Sequence, residues 1–328
     1  SSRPISASNR TDPGRGRTLV LDAVLLTPLG EIASYPPFFF EVLIGGLLTG
    51  VMYALVALGF VLIFKASGVF NFAQGAMVLF AALTFVGLME KGLPMPLALV
   101  AAAAVMVALA VVIERAVLRP LVGQAPISLF MATIGITFFL DGFGLTLWGS
   151  EVKRLDIGIP TDPLIVGGLF MNSFDVVAAA VCGLLVLVLA LFFQYTATGR
   201  ALRAVADDHT AALSVGIPLK TIWTIVWSVA GIVGLVAGIM WGAKLGVQFT
   251  LSLIALKALP VLILGGLTSV PGAILGGLII GAGENVFEVF WVDLHGGASQ
   301  DWFAYMLAMV VLLFRPQGLF GEKIIERV

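Results

Sequence analysis

From Phe38 to Phe64 the only charged side chain is Glu41. A run of that length and character exceeds the roughly 20 apolar residues that a helix needs to cross the hydrocarbon of a bilayer. In lipid every backbone N–H and C=O must be bonded within the element, so such a run has one stable solution, a transmembrane helix. Composition extends the argument to the whole chain. Of its residues 60% are hydrophobic and 11% are charged, against roughly 25% charged in ordinary soluble domains. The mean hydropathy is +1.09.

Eight further apolar segments follow: Phe72–Met89, Pro96–Ile113, Ser128–Trp148, Phe174–Phe193, Ile222–Gly242, Ile254–Leu267, Val270–Phe290 and Trp302–Phe314. The fold class is therefore all-α, a polytopic bundle of about eight or nine spans. The first six runs are the clearest. Ile254–Leu267 and Trp302–Phe314 are short, and Val270–Phe290 carries Glu284 and Glu288. Short, Gly- and Pro-interrupted segments in transporters often form broken helices that line a cavity. Trp148, Trp223, Trp241, Trp291 and Trp302 fall at span ends, where an indole prefers the headgroup layer. Glycines at spacing four (Gly234, Gly238 and Gly242; Gly272 and Gly276; Gly277 and Gly281) place small faces together and predict close helix packing.

Basic residues orient the bundle. With the 195–221 loop on the cytoplasmic side, that side carries nine: Lys65, Arg115, Arg119, Arg200, Arg203, Lys220, Arg315, Lys323 and Arg327. The opposite side carries four, Lys91, Lys153, Arg154 and Lys244. The organisation read from this is a tail over 1–37 of open sidedness, a transmembrane domain over 38–321, and a cytoplasmic tail over 322–328. Thr18–Leu29 is apolar but too short to span, and reads as an interfacial helix or part of an extra crossing.

Ionisable groups inside a membrane are costly, about 2.5–3.5 kcal/mol each on insertion scales, and therefore mark interior faces, partners or solute paths. Glu41, Asp175 and Glu288 sit near span ends; Asp141, Lys257 and Glu284 lie deeper. Asn71 and Gln74 open the second span, where the amides suit a zwitterion and Asn71 equally suits helix capping. The candidate solute path is thus Asn71, Gln74, Asp141, Lys257 and Glu284. The loop TATGRALRAVADDHTAALSVGIPLK reads as a short amphipathic helix outside the membrane, ended by Gly216 and Pro218, with mixed charge suited to a soluble partner.

Several classes are excluded or unsupported. The chain has no Gly-Lys dipeptide, so no phosphate-cradling P-loop is possible and any ATPase must be a separate chain. It has no HExxH and no GxSxG. Cys182 is the only cysteine, and His209 and His295 stand far apart, so neither a disulfide nor a metal site is expected, and no cofactor. A net charge of -1 gives no reason to invoke nucleic acid. Three readings remain: a permease energised by a separate ATPase, an ion-coupled transporter using Asp141 and Glu284, and a channel. The docking loop favours the first.

Six segments in order carry a family resemblance: GVFNFAQGA, IERAVLRPL, ATIGITFFLDG, TGRALRAVADDHTAALSVGI, LIALKALPVLILGGLTSVPGAILGGLIIGAGE and RPQGLFG. From Phe38 to Gly321 the chain resembles the LivH-class permeases of branched-chain amino acid ABC transporters. The resemblance implies a second permease chain (LivM-like, or a second copy), two cytoplasmic ATPase subunits, a periplasmic binding protein and a bacterial inner membrane. It also implies that Gly199, Arg200, Arg203, Asp207, Asp208, Ala211, Ala212 and Gly216 belong to a coupling helix seated on the ATPase. Importer permeases often carry Glu-Ala-Ala with Gly four residues on; here Thr210 stands in the Glu position. A second departure lies at the second span, where the family commonly reads Asn-Phe-Ala-His-Gly-Glu and this chain has Gln74 and Ala76. That change leaves urea, short amides or other small organic solutes as alternative cargo.

Overall fold

The computed structural model describes residues 27–321, other than 122, 161 and 208. The 1–26 part of the tail, most of the Thr18–Leu29 segment and the 322–328 tail lie outside the described residues, as does Asp208.

Helix α1 (Thr27–Ser34) leads through Tyr35 into α2 (Pro36–Ser67). Prolines at the first two positions of α2 cost nothing there, because those N–H groups have no intrahelical acceptor. The helix ends where Gly68 turns left-handed (φ 68°) and its N–H closes on the Phe64 carbonyl at 2.7 Å. Next come α3 (Gln74–Glu90), α4 (Met95–Ile113) and α5 (Pro126–Trp148), with a π turn and a 3₁₀ turn over 114–121. Strands β1 (Pro163–Val166) and β2 (Leu169–Asn172) precede α6 (Ser173–Tyr195). Helices α7 (Ala197–Asp207) and α8 (His209–Ser214) form the long loop before α9 (Leu219–Leu245). A 3₁₀ turn (Phe249–Leu253) runs straight into α10 (Ile254–Gly265), followed by α11 (Val270–Phe290), α12 (Val292–His295) and α13 (Gln300–Phe314).

Each of the nine apolar spans read from Phe38 onward falls on a helix, so this is a multi-pass membrane protein. Length sorts the helices differently from composition. Six are long and apolar enough to cross a membrane, and Val270–Phe290 is among them despite its glutamates. Gln74–Glu90, Phe249–Gly265 and Gln300–Phe314 are the shorter ones. The second run, clear by composition, is thus a short helix whose first turn starts inside the bundle: a Cβ on Gly75 would meet the Ser252 carbonyl. One element is not helical. The β1–β2 hairpin turns at Gly167 and Gly168, both with positive φ, the requirement of a type I′ turn. The Phe170 N–H, donating to the Glu41 carboxylate at 2.9 Å, ties the hairpin to α2.

The most extensive helix contact is α2 against α11. Lipid tails are as apolar as leucine, so helices in a membrane associate through close packing rather than water exclusion. Here the backbones nearly touch. An added Cβ on Gly277 would lie 2.6 Å from the Gly50 carbonyl, and one on Gly281 would lie 2.4 Å from that of Gly46. Gly238 packs the same way against Val78, so the spacing-four glycines mark real seams. Two of the tryptophans do not serve as headgroup anchors. Trp223 is buried with its indole N–H on the Ala66 carbonyl at 3.0 Å, and Trp241 is buried and stacked on Tyr53.

Basic residues that the sequence assigns to one side lie together. Lys65, Gly199, Arg203, Ser269 and Phe320 line one cavity at one end. At the other, Lys244 pairs with Asp175 at 2.7 Å and Lys153 bonds Val247 through the backbone. At the first end the RPQGLFG segment closes α10: the Leu319 N–H donates to Leu264 O at 2.8 Å and that of Phe320 to Gly265 O at 3.1 Å. Gly318 (φ 78°) is required there, because a Cβ would lie 2.8 Å from the Ile263 carbonyl.

Candidate translocation cavity and coupling elbow

The glycine seam leaves polar side chains facing each other across α2 and α11. Thr49 and Tyr53, four residues apart, share one face of α2; Gly281, Glu284 and Asn285 share one face of α11. Helix α9 adds Trp241 and Lys244, and α10 adds Ile254 and Lys257. Together with Leu245 and Gln300 they enclose a cavity of about 260 Å³ toward the Lys244 end.

Its polar groups are of both signs. Glu284 is 4% exposed, and its Oε1 has no hydrogen-bond partner among the described residues. Tyr53 and Lys257 line the same cavity as this carboxylate. A buried carboxylate oxygen without a donor is costly, and Glu284 lines the cavity. Lys257 reaches outward as well, to Asp301 at 2.9 Å, with 79% of the aspartate side chain exposed. The amide of Asn285 donates to the Val42 carbonyl at 3.1 Å and so is held by α2. A cavity with a carboxylate inside and ammonium groups beside it can hold a zwitterion by both ends, while Trp241 and Ile254 present apolar surface.

The sequence-derived path residues separate into three places. Lys257 and Glu284 meet in this cavity. Asn71 and Gln74 form a buried pair elsewhere, the Asn71 Nδ2 donating to Gln74 Oε1 at 3.3 Å. The Asn71 Oδ1 accepts the Ala73 N–H at 3.1 Å in the turn that precedes α3, whose N-cap is Ala73 and not Asn71. The Gln74 amide sits against Gly59, where a Cβ would come within 2.4 Å of its nitrogen, and that nitrogen has no partner among the described residues. Asp141 is buried on α5 with Oδ1 unpartnered among the described residues, and is not part of the cavity wall. Thr49, Tyr53, Trp241, Asn285 and Gln300 were not anticipated. Tyr53 carried a signal, a hydroxyl in the middle of an otherwise apolar span. Glu114 was also overlooked; it is buried at 1% and held bidentately by Arg119 at 3.1 and 3.2 Å within the IERAVLRPL segment.

The 195–221 loop is an elbow clamped to the end of α6. The Arg203 guanidinium donates to the Phe193 and Gln194 carbonyls at 2.6 and 3.3 Å, and Arg200 to that of Tyr195 at 3.3 Å. These carbonyls have no partner within the helix, so the two arginines act as C-terminal caps. Gly199 permits the approach, since a Cβ there would lie 1.8 Å from the Phe193 carbonyl. Leu202, Val205 and Ala212 are buried beneath the bundle, whereas Ala211, Leu213 and Val215 are exposed. Asp207 ends α7, Thr210 lies in α8, and Gly216 (φ 83°) closes the turn before Pro218.

Residues 42–315 match the family described as branched-chain amino acid transport system / permease component. The chain is 30% identical over 305 residues to the high-affinity branched-chain amino acid transport system permease protein BraD of Pseudomonas aeruginosa, covering 88% of this chain and 98% of that one. It is 27% identical over 310 residues to the LivH permease protein of Escherichia coli (89% and 98% covered). It is also 27% identical over 296 residues to a probable LivH of Methanocaldococcus jannaschii (85% and 92%). No solved structure matches. The matched region holds both the amphoteric cavity and the elbow, and the chain belongs to the family of branched-chain amino acid transport permease components.

Proposed function

We propose that this chain is one membrane-spanning subunit of an ATP-driven importer in a bacterial inner membrane, moving branched-chain or related apolar amino acids. A second permease chain completes the pore, two cytoplasmic ATPase subunits drive it, and a periplasmic protein delivers the cargo. The observation that carries the cargo class is the cavity holding Glu284 with Lys257 and Lys244, next to the rings of Tyr53 and Trp241. An α-ammonium pairs with the Glu284 carboxylate, an α-carboxylate faces the lysines, and an aliphatic side chain meets the apolar wall. The names of BraD and LivH support the same cargo. The separation of Asp141 from this cavity gives an ion relay no footing. The amide pair at Asn71 and Gln74 stands outside the cavity wall and gives urea or short amides none.

The test is uptake by the reconstituted complex with Glu284→Gln, which removes the charge and keeps the shape. Loss of a charge-assisted hydrogen bond of about 1.5–3 kcal/mol lowers leucine uptake roughly 10- to 100-fold, with membrane insertion and ATPase association unchanged. Unaltered leucine uptake by this variant would refute the site assignment. Uptake of urea in place of leucine by the unmodified complex would refute the cargo.

A further inference from the structure

A second cavity, of about 360 Å³, lies at the Lys65 end, between the last turn of α2, the elbow and the first turn of α11. Its charge is of one sign. Lys65 and Arg203 line it, together with Thr268 and Ser269, and among the described residues none of its lining is Asp or Glu. Lys65 has no ion pair among the described residues. Arg203 is held in place by two neutral backbone carbonyls, so its position is fixed and its charge is not neutralised. Among the described residues its Nε–H and one hydrogen on each terminal nitrogen have no acceptor. The first turn of the 21-residue α11 adds the positive end of a helix dipole. The remaining wall is apolar, with Leu62, Phe193, Val270 and Phe320.

We infer that this cavity binds a phosphate group, presented as the headgroup of an anionic phospholipid whose chain lies along the apolar wall. Two cations from different elements and two hydroxyls line one cavity and suit a tetrahedral anion, while the N–H groups of Gly272 and Ala273 are already bonded to Ser269, so the start of α11 contributes its dipole rather than free donors. Basic pockets between transmembrane helices suit such headgroups, and the apolar side of the wall distinguishes a lipid from free phosphate. Bound there, the phosphate bridges α2, α7 and α11. It braces the elbow against the two helices that carry Tyr53 and Glu284. That mechanical consequence rests on the proposed coupling role of the elbow; the binding itself does not.

The test uses the full chain purified with its partner subunits. It is reconstituted in phosphatidylcholine vesicles with or without phosphatidylglycerol, and lipid retention is read by native mass spectrometry. The unmodified protein retains phosphatidylglycerol in preference to phosphatidylcholine. Lys65→Gln weakens retention about fivefold, the scale of one basic side chain near an anionic lipid. Lys65→Arg restores it. Lys220→Gln, an exposed charge outside the cavity, leaves it unchanged. Thr268→Val reads the same cavity without touching a charge and weakens retention in the same direction, which covers a Lys65 variant that assembles poorly. Displacement of the lipid by millimolar inorganic phosphate, with equal occupancy by phosphate in pure phosphatidylcholine, keeps the anion site and assigns it to the free ion. Equal losses for Lys65→Gln and Lys220→Gln, or no preference for phosphatidylglycerol or phosphate, overturn the inference. Binding lost in Lys65→Gln with ATP-driven uptake intact would retain the site and separate it from coupling.

Discussion

Replacing Gly281 by alanine adds one methyl group at the tightest point of the α2–α11 seam. The added Cβ would sit 2.4 Å from the Gly46 carbonyl oxygen and 2.5 Å from the Gly50 Cα and nitrogen. All three are backbone atoms, so no side-chain rotation relieves the contact. Ordinary carbon contacts lie at about 3.5–4.0 Å, and the helices must separate by about an ångström. A gap of that size forfeits a quarter to a half of the dispersion energy of each atom pair it opens, along a seam that also includes Gly50 against Gly277. Overpacking of this kind costs about 1–3 kcal/mol. The internal control is Gly135 on α5, where an added Cβ meets nothing within 4 Å. There Gly→Ala gains about 0.5–1 kcal/mol of helix stability. Thermal unfolding in one detergent, followed by tryptophan fluorescence, should therefore place Gly281→Ala below the unmodified protein and Gly135→Ala at or above it. Because Gly281 also lines the cavity beside Glu284, leucine uptake should fall in the first variant alone. Equal stability of the two variants would refute the seam as the element that sets the cavity geometry.

Three other perturbations address the elbow and the orientation. Gly199→Ala drives a Cβ into the Phe193 carbonyl and should displace α7; co-purification of the ATPase subunits should drop while leucine delivery to the outer face persists, and normal co-purification would contradict the clamp. Reversing the acidic pair, with Asp207→Lys and Asp208→Lys together, should abolish ATP-driven uptake through unpaired interface charge worth several kcal/mol; normal transport would reduce the loop to a connector. A cysteine at Ala206, in a chain where buried Cys182 is replaced, should resist an impermeant thiol reagent in intact cells; labelling there would invert the assigned sidedness.

The spans were legible because a bilayer sets a length and forbids unpaired backbone, so apolar runs alone locate Phe38–Phe64 and Val270–Phe290. Their depth was not legible. Length flagged Ile254–Leu267 and Trp302–Phe314 as short, and both are; hydropathy did not distinguish a full crossing from Gln74–Glu90, which begins inside the bundle. The hairpin, whose Gly167-Gly168 turn lies between two four-residue strands, falls between the spans Ser128–Trp148 and Phe174–Phe193 and was not read from the sequence, because strands that short leave no periodic pattern. Half of the cavity was legible, because Lys257 and Glu284 are expensive in lipid and so draw notice. Its aromatic wall was not, since Tyr53 and Trp241 look like ordinary span residues until the glycine seam places them opposite Glu284. Arg200 and Arg203 read as docking charges, but their guanidinium groups reach the last carbonyls of α6, a geometry that depends on where Gly199 lets the chain turn.

The most direct test of ATP-driven amino-acid import is leucine uptake into proteoliposomes holding the full complex, with cargo-loaded binding protein outside and ATP trapped inside. Uptake should require ATP, persist when a protonophore and a sodium ionophore collapse the gradients, and vanish when the ATPase subunits are omitted. Leucine accumulation driven by a proton or sodium gradient without ATP would contradict the account.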